Sequence, residues 1–281
     1  MTVADAALIQ EAVTVLGLND LGPIGAVGGQ KAVRKVARGG VESVLKVVAV
    51  DAVTPEALKR AEREVELLGR ISNPNVVKVE SALVELGTPI HGAAWVEEYL
   101  DGEDLGVLLG TRQWTWIEAR EMGTQVANGL AAGHAESVIH RDLSANNVRC
   151  LSNGTYKVLD FGVARHTLRS GVTVAGQPGT RGYFTPEHLN SYSGKAMPMS
   201  DVWQVGNLMY YALSGVLPYP YRGDDGEYAD RLQRGVMEDL CVHRPDLTPA
   251  QLAVVRRAMH PQPARRFLEA GALRDELEIT Q

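Results

Sequence analysis

The stretch HRDLSANNVRCLSNGTYKVLDFG, residues 140–162, constrains this chain more than any other. Its ends carry Asp142, Asn147 and Asp160, and its middle, VRCLSNGTYKVL, reads as two short strands around an Asn-Gly turn. A hairpin so placed sets the distance between the residues on its two sides. Two carboxylates and an amide spaced in this way are either solvated turn residues or oxygen donors for a divalent cation beside phosphate.

The flanking sequence changes character on either side of residue 100. From Leu21 to Val50, glycine- and valine-rich sequence predicts short strands joined by glycine turns, with ARGG as one tight turn. TPEALKRAEREVELLGRI then predicts an amphipathic helix, with Thr54 as N-cap, Pro55 at the first helical position and apolar residues at 58, 61, 65 and 68. NVVKVESALVEL and AAWVEEYL read as two further strands, and after LDGED the chain reads as mainly helical, WIEAREMGTQVANGLAAGHAE foremost. No repeat or Pro/Ser linker divides the chain, so the two parts are lobes of one unit.

Bulk composition narrows the classes of function. A net charge of −6 offers no polybasic footprint for nucleic acid or an anionic membrane. Cys150 and Cys241 are too few for a disulfide scaffold and lack zinc-motif spacing. The opening MTVADAALIQEAVTVLGL has no basic segment leading into an apolar run, and no apolar stretch reaches the roughly 18 residues of a membrane span. The expected location is the cytoplasm.

With His140, Arg141, Asp142, Asn147, Asp160, Phe161 and Gly162 in this order, the chain resembles a eukaryotic-type, bacterial-like serine/threonine protein kinase. The resemblance runs from about Leu21 to Phe267 and implies an α+β, bilobal fold. It consists of a small antiparallel β lobe of five strands and one helix (21–99) and a mainly helical large lobe (100–281), preceded by an N-terminal extension (1–20) that forms a short helix on the small lobe. It implies Asp142 as the group that accepts the substrate's hydroxyl proton, and Asn147 and Asp160 as holders of Mg²⁺ against ATP. VESVLKVV nominates Lys46 for the α and β phosphates, with Glu64 of the following helix as its partner. GAVGGQKAV is similar to the phosphate-covering loop, giving Gly25, Gly28, Gly29 and Val33, with Lys31 where the third glycine would fall. WVEEYLDGEDL is similar to the segment joining the lobes, where the backbone of Glu98 and Leu100 would bond adenine and Glu97 would control the pocket behind it. A carboxylate there is costly to desolvate without a partner.

Further along, GTRGYFTPE is similar to the substrate-docking end of an activation segment, with Gly179-Thr180 in the serine/threonine pattern and TPE in place of A-P-E. The resemblance assigns Asp201 to bracing the catalytic loop, Arg266 to a buried pair with Glu187, and Arg141 to holding a phosphorylated loop. His134 and His140 are expected to pack or hydrogen-bond near the catalytic loop. Ser170 and Thr173 are candidate phosphosites, with transient self-association implied for autophosphorylation. The implied partners are ATP and a protein substrate whose identity the sequence does not name, with no nucleic acid or membrane. Ser144 departs from the family by standing where such kinases carry a phosphate-touching lysine. That departure keeps two alternatives open, a kinase of small molecules and a pseudokinase acting as a binding scaffold.

Overall fold

The computed structural model describes residues 4–24, 31–49, 55–161, 182–189 and 197–281, with the side chains at 55–57, 60, 64 and 188 outside that set. The chain divides into two compact units, the first running to Ser72 and resuming over Val77–Leu100, the second holding Asn73–Val76 and the chain from Asp101 through Phe161 and on to Gln281.

The first unit opens with helix α1 (Ala6–Val15), capped by the Asp5 carboxylate on the Leu8 amide. A five-stranded antiparallel sheet follows, built from β1 (Asn19–Pro23), β2 (Lys31–Arg38), β3 (Val41–Ala49), β4 (Val84–Leu86) and β5 (Gly92–Glu98), in the order β1-β2-β3-β5-β4. Between β3 and β4 lies α2 (Pro55–Arg70), whose Leu58, Ala61, Val65 and Leu68 are all buried, the one-sided stripe that their spacing predicts. β3 buries both faces. Leu45, Val47 and Ala49 lie in one apolar cluster with Val96 and Ala94 of β5 and with Leu8, Ala12 and Val13 of α1. The opposite face carries Lys46, whose register partners are Val33 on β2 and Trp95 on β5. Gly92 lets α1 dock closely, since a β-carbon there would lie 2.8 Å from a Leu8 methyl and 3.1 Å from the Val48 carbonyl oxygen.

Two expectations need correcting, and one strand was not foreseen. The run 75–86 forms a strand only over Val84–Leu86, with single bridges at Val76 and Val79. Side chains take over its early backbone, since Asn73 accepts the amide of Asn75 and Glu98 that of Lys78. Within LDGED, Gly102–Asp104 form β6, which pairs with the hairpin. The sheet also begins at Asn19, inside the segment read as an extension.

In the second unit, β6 leads into the single turn α3 (Leu105–Leu108) and then α4 (Trp116–Ala135), which a Thr115/Glu118 capping box starts. The predicted hairpin is β7 (Val148–Leu151) and β8 (Tyr156–Val158), with Gly154 at φ +83° in its turn. After residues 182–189 come α5 (Pro198–Ser214), α6 (Asp225–Arg234), α7 (Leu240–His243), α8 (Pro249–Ala258) and α9 (Ala270–Ile279). α4 packs on α5 and α9, and at Gly123 the three approach so closely that a β-carbon would lie 2.7 Å from Met209 Sδ and 3.3 Å from Leu277. Among the described residues no helix is long and apolar enough to cross a membrane.

Candidate active site

In the second unit the loop from His140 to Asn147 is held from three sides. Asp201, fully buried in the first turn of α5, accepts the amides of His140 at 2.8 Å and Arg141 at 3.0 Å, and His134 Nε2 at 2.9 Å. The positive end of the α5 dipole suits that carboxylate. Arg141 takes φ +71°, a left-handed conformation rare outside glycine, which these bonds over-determine. His140 Nε2 donates to the Leu159 carbonyl at 2.8 Å, and its Nδ1 accepts the Asp142 amide at 3.3 Å, the pattern of one imidazole tautomer. Asn147 closes the loop, its Nδ2 donating to the Asp142 carbonyl at 2.7 Å and its own carbonyl accepting the Leu159 amide at 2.8 Å.

These bonds tie Asp142 and Asn147 to the end of the hairpin, where Asp160 takes φ +51°. Phe161 anchors the next position. It is buried, its ring centroid lies 5.0 Å from that of His140, and it occupies space that a side chain at position 133 would fill, 2.6 Å from a β-carbon built on Gly133. Because the amide nitrogen of Asn147 is engaged, its oxygen is the atom left for a cation. With the Asp160 carboxylate it would supply oxygen donors of the kind magnesium takes while keeping several waters. No three His, Cys, Asp or Glu residues gather into a metal site among the described residues.

Segment 182–189 is fastened to the same helix, α5. Asn207 donates to the Gly182 carbonyl at 2.8 Å, and the Gly182 amide donates to Tyr228 Oη at 3.1 Å. Gln204 joins loop to segment, accepting the Leu143 amide at 3.1 Å and donating to the Tyr183 carbonyl at 3.3 Å. Glu187 lies in a short 3₁₀ turn, Pro186–Leu189, and its two oxygens accept from Arg266 at 2.7 and 2.9 Å, with Ser200 Oγ at 2.7 Å. Burial pushes the Glu187 carboxyl up, but Arg266 and Ser200 outweigh it and leave it below the ordinary value. Arg266 further donates to the carbonyls of Met199, His260 and Pro261, so nearly all of its guanidinium is engaged.

In the first unit, Lys46 is 4% exposed and its Nζ lies 2.5 Å from Glu97 Oε2, while Trp95 Nε1 donates to Glu97 Oε1 at 2.9 Å. The partner that a carboxylate at 97 requires is therefore on the next strand. Glu64 lies on α2, but its side chain is outside the described residues. Val33 is directly across from Lys46, and Lys31 lies at the start of β2 opposite Val48. Glu98 closes β5 with its amide on the Lys78 carbonyl at 2.9 Å, and Leu100 is buried. Gly25, Gly28, Gly29, Ser170, Thr173 and Thr180 lie outside the described residues, as does Gly162. Ser144 is buried before the 3₁₀ turn Ala145–Asn147.

Sequence reasoning did not nominate Trp95 or Gln204. A signal existed for Trp95: the alternation Trp95, Glu97 places both on one face of β5, the face of Lys46.

Comparison with known proteins agrees with this geometry. Residues 20–274 match the protein kinase domain family. The serine/threonine-protein kinase pkn3 of Myxococcus xanthus is 31% identical over 251 residues, 84% of this chain and 44% of that protein. A probable serine/threonine-protein kinase of Streptomyces coelicolor is 30% identical over 270 residues, 93% of this chain and 40% of that protein. The chain thus spans less than half the length of these two curated relatives. The crystal structure of the Mycobacterium tuberculosis PknI kinase domain shares the fold, with a TM-score of 0.71 over 96% of this chain and 98% of that one at 22% identity. A locked loop bearing Asp142 and Asn147, a hairpin delivering Asp160, and a family match along nearly the whole length lead to one conclusion: the chain belongs to the protein kinase domain family.

Proposed function

We propose that the protein transfers the γ-phosphate of ATP to serine or threonine hydroxyls of a protein substrate, and that the metal it uses is magnesium. The observation that carries this reading is the loop in which His140, Asn147 and Asp201 fix Asp142 beside the hairpin end bearing Asp160.

Phosphoryl transfer asks the protein for positioning and charge neutralisation more than for covalent help. Asp142 orients the substrate hydroxyl and takes its proton as the oxygen–phosphorus bond forms and ADP departs. Its place is set through the backbone, since both its amide and its carbonyl are bonded within the loop. Asn147 Oδ1 and the Asp160 carboxylate hold the metal, which when bound neutralises charge on the phosphate oxygens. Lys46 contacts the α and β phosphates, and the backbone of Glu98 and Leu100 receives adenine. Arg141 reads a phosphorylated loop, with Ser170 and Thr173 as sites of autophosphorylation through transient self-association. Segment 182–189, held by Gln204, Asn207 and Glu187, docks the substrate protein. Ser144 brings no cation to the transferred phosphate, so either Lys31 supplies one or transfer is slow.

The test uses labelled ATP, magnesium and a generic basic protein, comparing wild type with Asp160→Ala and analysing phosphoamino acids. Phosphoserine or phosphothreonine that disappears in the variant is the expected result, with a rate loss on the order of 10²-fold or more. Nucleotide binding without transfer by wild type would overturn the proposal.

A further inference from the structure

We infer that Glu97, oriented by Trp95, is a positioning residue that holds the Lys46 ammonium for the nucleotide. The inference rests on Lys46 serving the phosphates, as proposed above.

Register brings the three residues together. Lys46 on β3 faces Trp95 on β5, and Glu97, two residues further along, emerges on the same face. All three side chains are buried, with Lys46 and Glu97 at 4% and 5% exposure. Removing a lysine and a glutamate from water is costly, and such a pair persists only where geometry is good and the remaining lone pairs are used. Both conditions hold. Glu97 Oε2 takes Lys46 Nζ at 2.5 Å, and Oε1 takes the indole Nε1 at 2.9 Å, so each carboxylate oxygen has its own donor. Trp95 thereby fixes the carboxylate's rotation, and the carboxylate fixes the ammonium. A lysine ammonium carries three donors, and Glu97 takes one of them. The arrangement lies wholly within one sheet, so Lys46 keeps an oriented counter-charge supplied by the strand beside it.

A glutamine at 97 keeps the size but cannot keep the pattern: with one oxygen and one NH₂ it must set a donor against either Lys46 or Trp95. Fluorescent mant-ATP binding to the full chain with magnesium, together with KM for ATP and kcat, tests the idea. In Glu97→Gln the mant-ATP Kd and the KM for ATP should rise about tenfold, the value of one charge-assisted hydrogen bond. Glu97→Asp should recover part of the affinity. The effect should vanish in the absence of its target: Lys46→Met/Glu97→Gln should bind mant-ATP no more weakly than Lys46→Met alone.

Trp95→Phe keeps an aromatic ring, removes the indole donor and loses some ring volume. Assayed below its own melting transition, it should weaken binding roughly two- to threefold, which keeps the inference testable if Glu97→Gln folds poorly. Wild-type affinity in both Glu97→Gln and Trp95→Phe, or penalties of Glu97→Gln and Lys46→Met that simply add, would overturn the inference and leave the role of Lys46 standing. A fall in kcat at constant KM for ATP would reduce Glu97 to a structural part and overturn it too. Wild-type affinity in Lys46→Met would remove Lys46 itself from the site, and with it the proposal on which the inference rests.

Discussion

The two units bury charge in different ways. In the second, Arg266 is gripped by both oxygens of Glu187 and by three main-chain carbonyls, and Asp201 is filled by two main-chain amides and a histidine. In the first, Lys46 meets a carboxylate that an indole orients, side chain on side chain across neighbouring strands. A charge locked into the backbone serves the architecture, because moving it means moving the chain. A charge held by side chains can be shared with a ligand while the strands stay where they are. On the proposed function, the difference separates residues that build the site from residues that would meet the nucleotide.

Five variants test this comparison. Arg266→Ala leaves Glu187 buried without its counter-charge and should cost about 3–5 kcal/mol in urea unfolding, the largest loss expected. The contrasting Lys46→Met/Glu97→Leu replaces a buried pair with apolar groups of similar volume, and its cost should be confined to about 1–3 kcal/mol for the Trp95 indole left without its acceptor. Were both variants equally destabilised, the distinction between the units would collapse.

Leu8→Ala tests how far the Lys46 strand depends on α1 behind it. Leu8 is 2% exposed in the cluster with Leu45 and Val47, so its truncation should cost about 2–4 kcal/mol, read from the same unfolding curves. Next in size, Asp201→Asn sets an NH₂ against the donors of His140, Arg141 or His134 and should cost about 1–3 kcal/mol, with kcat falling before KM for ATP moves. Unchanged kcat would show that the loop does not need its brace.

The smallest effect belongs to a surface cap. Arg112 and the Thr115 amide hold the Glu118 carboxyl down at about 2 from an ordinary 4.5. A depressed carboxylate contributes stability that is fully present above its unfolded value and is lost as pH falls through its folded one. Glu118→Gln should therefore lower stability at pH 7 by less than about 1 kcal/mol, since the pair is exposed, and that difference should fade between pH 4.5 and about 2.

Much of the fold could be read in advance because its periodicities are local. The stripe at 58, 61, 65 and 68 marks α2, and the Asn-Gly turn marks the hairpin, each a matter of a few consecutive residues. The run 75–86 misled because its alternation looks like a strand, while the side chains of Asn73 and Glu98 draw its early backbone into other bonds. The site shows the same division. Asp142, Asn147 and Asp160 stand in a motif whose spacing shows in the letters. Gln204, which ties the loop to residues 182–189, stands in no pattern a single helix reveals.

Sequence alone, then, determined the class of fold, the order of the chemical groups and the need for a partner at Glu97, since an unpaired buried carboxylate is too costly to persist. Only the tertiary structure decided which partner met that need. Strand order and register are cooperative properties of the whole sheet, and they placed Lys46 opposite Trp95 and within 2.5 Å of Glu97 across residues that lie far apart in the chain.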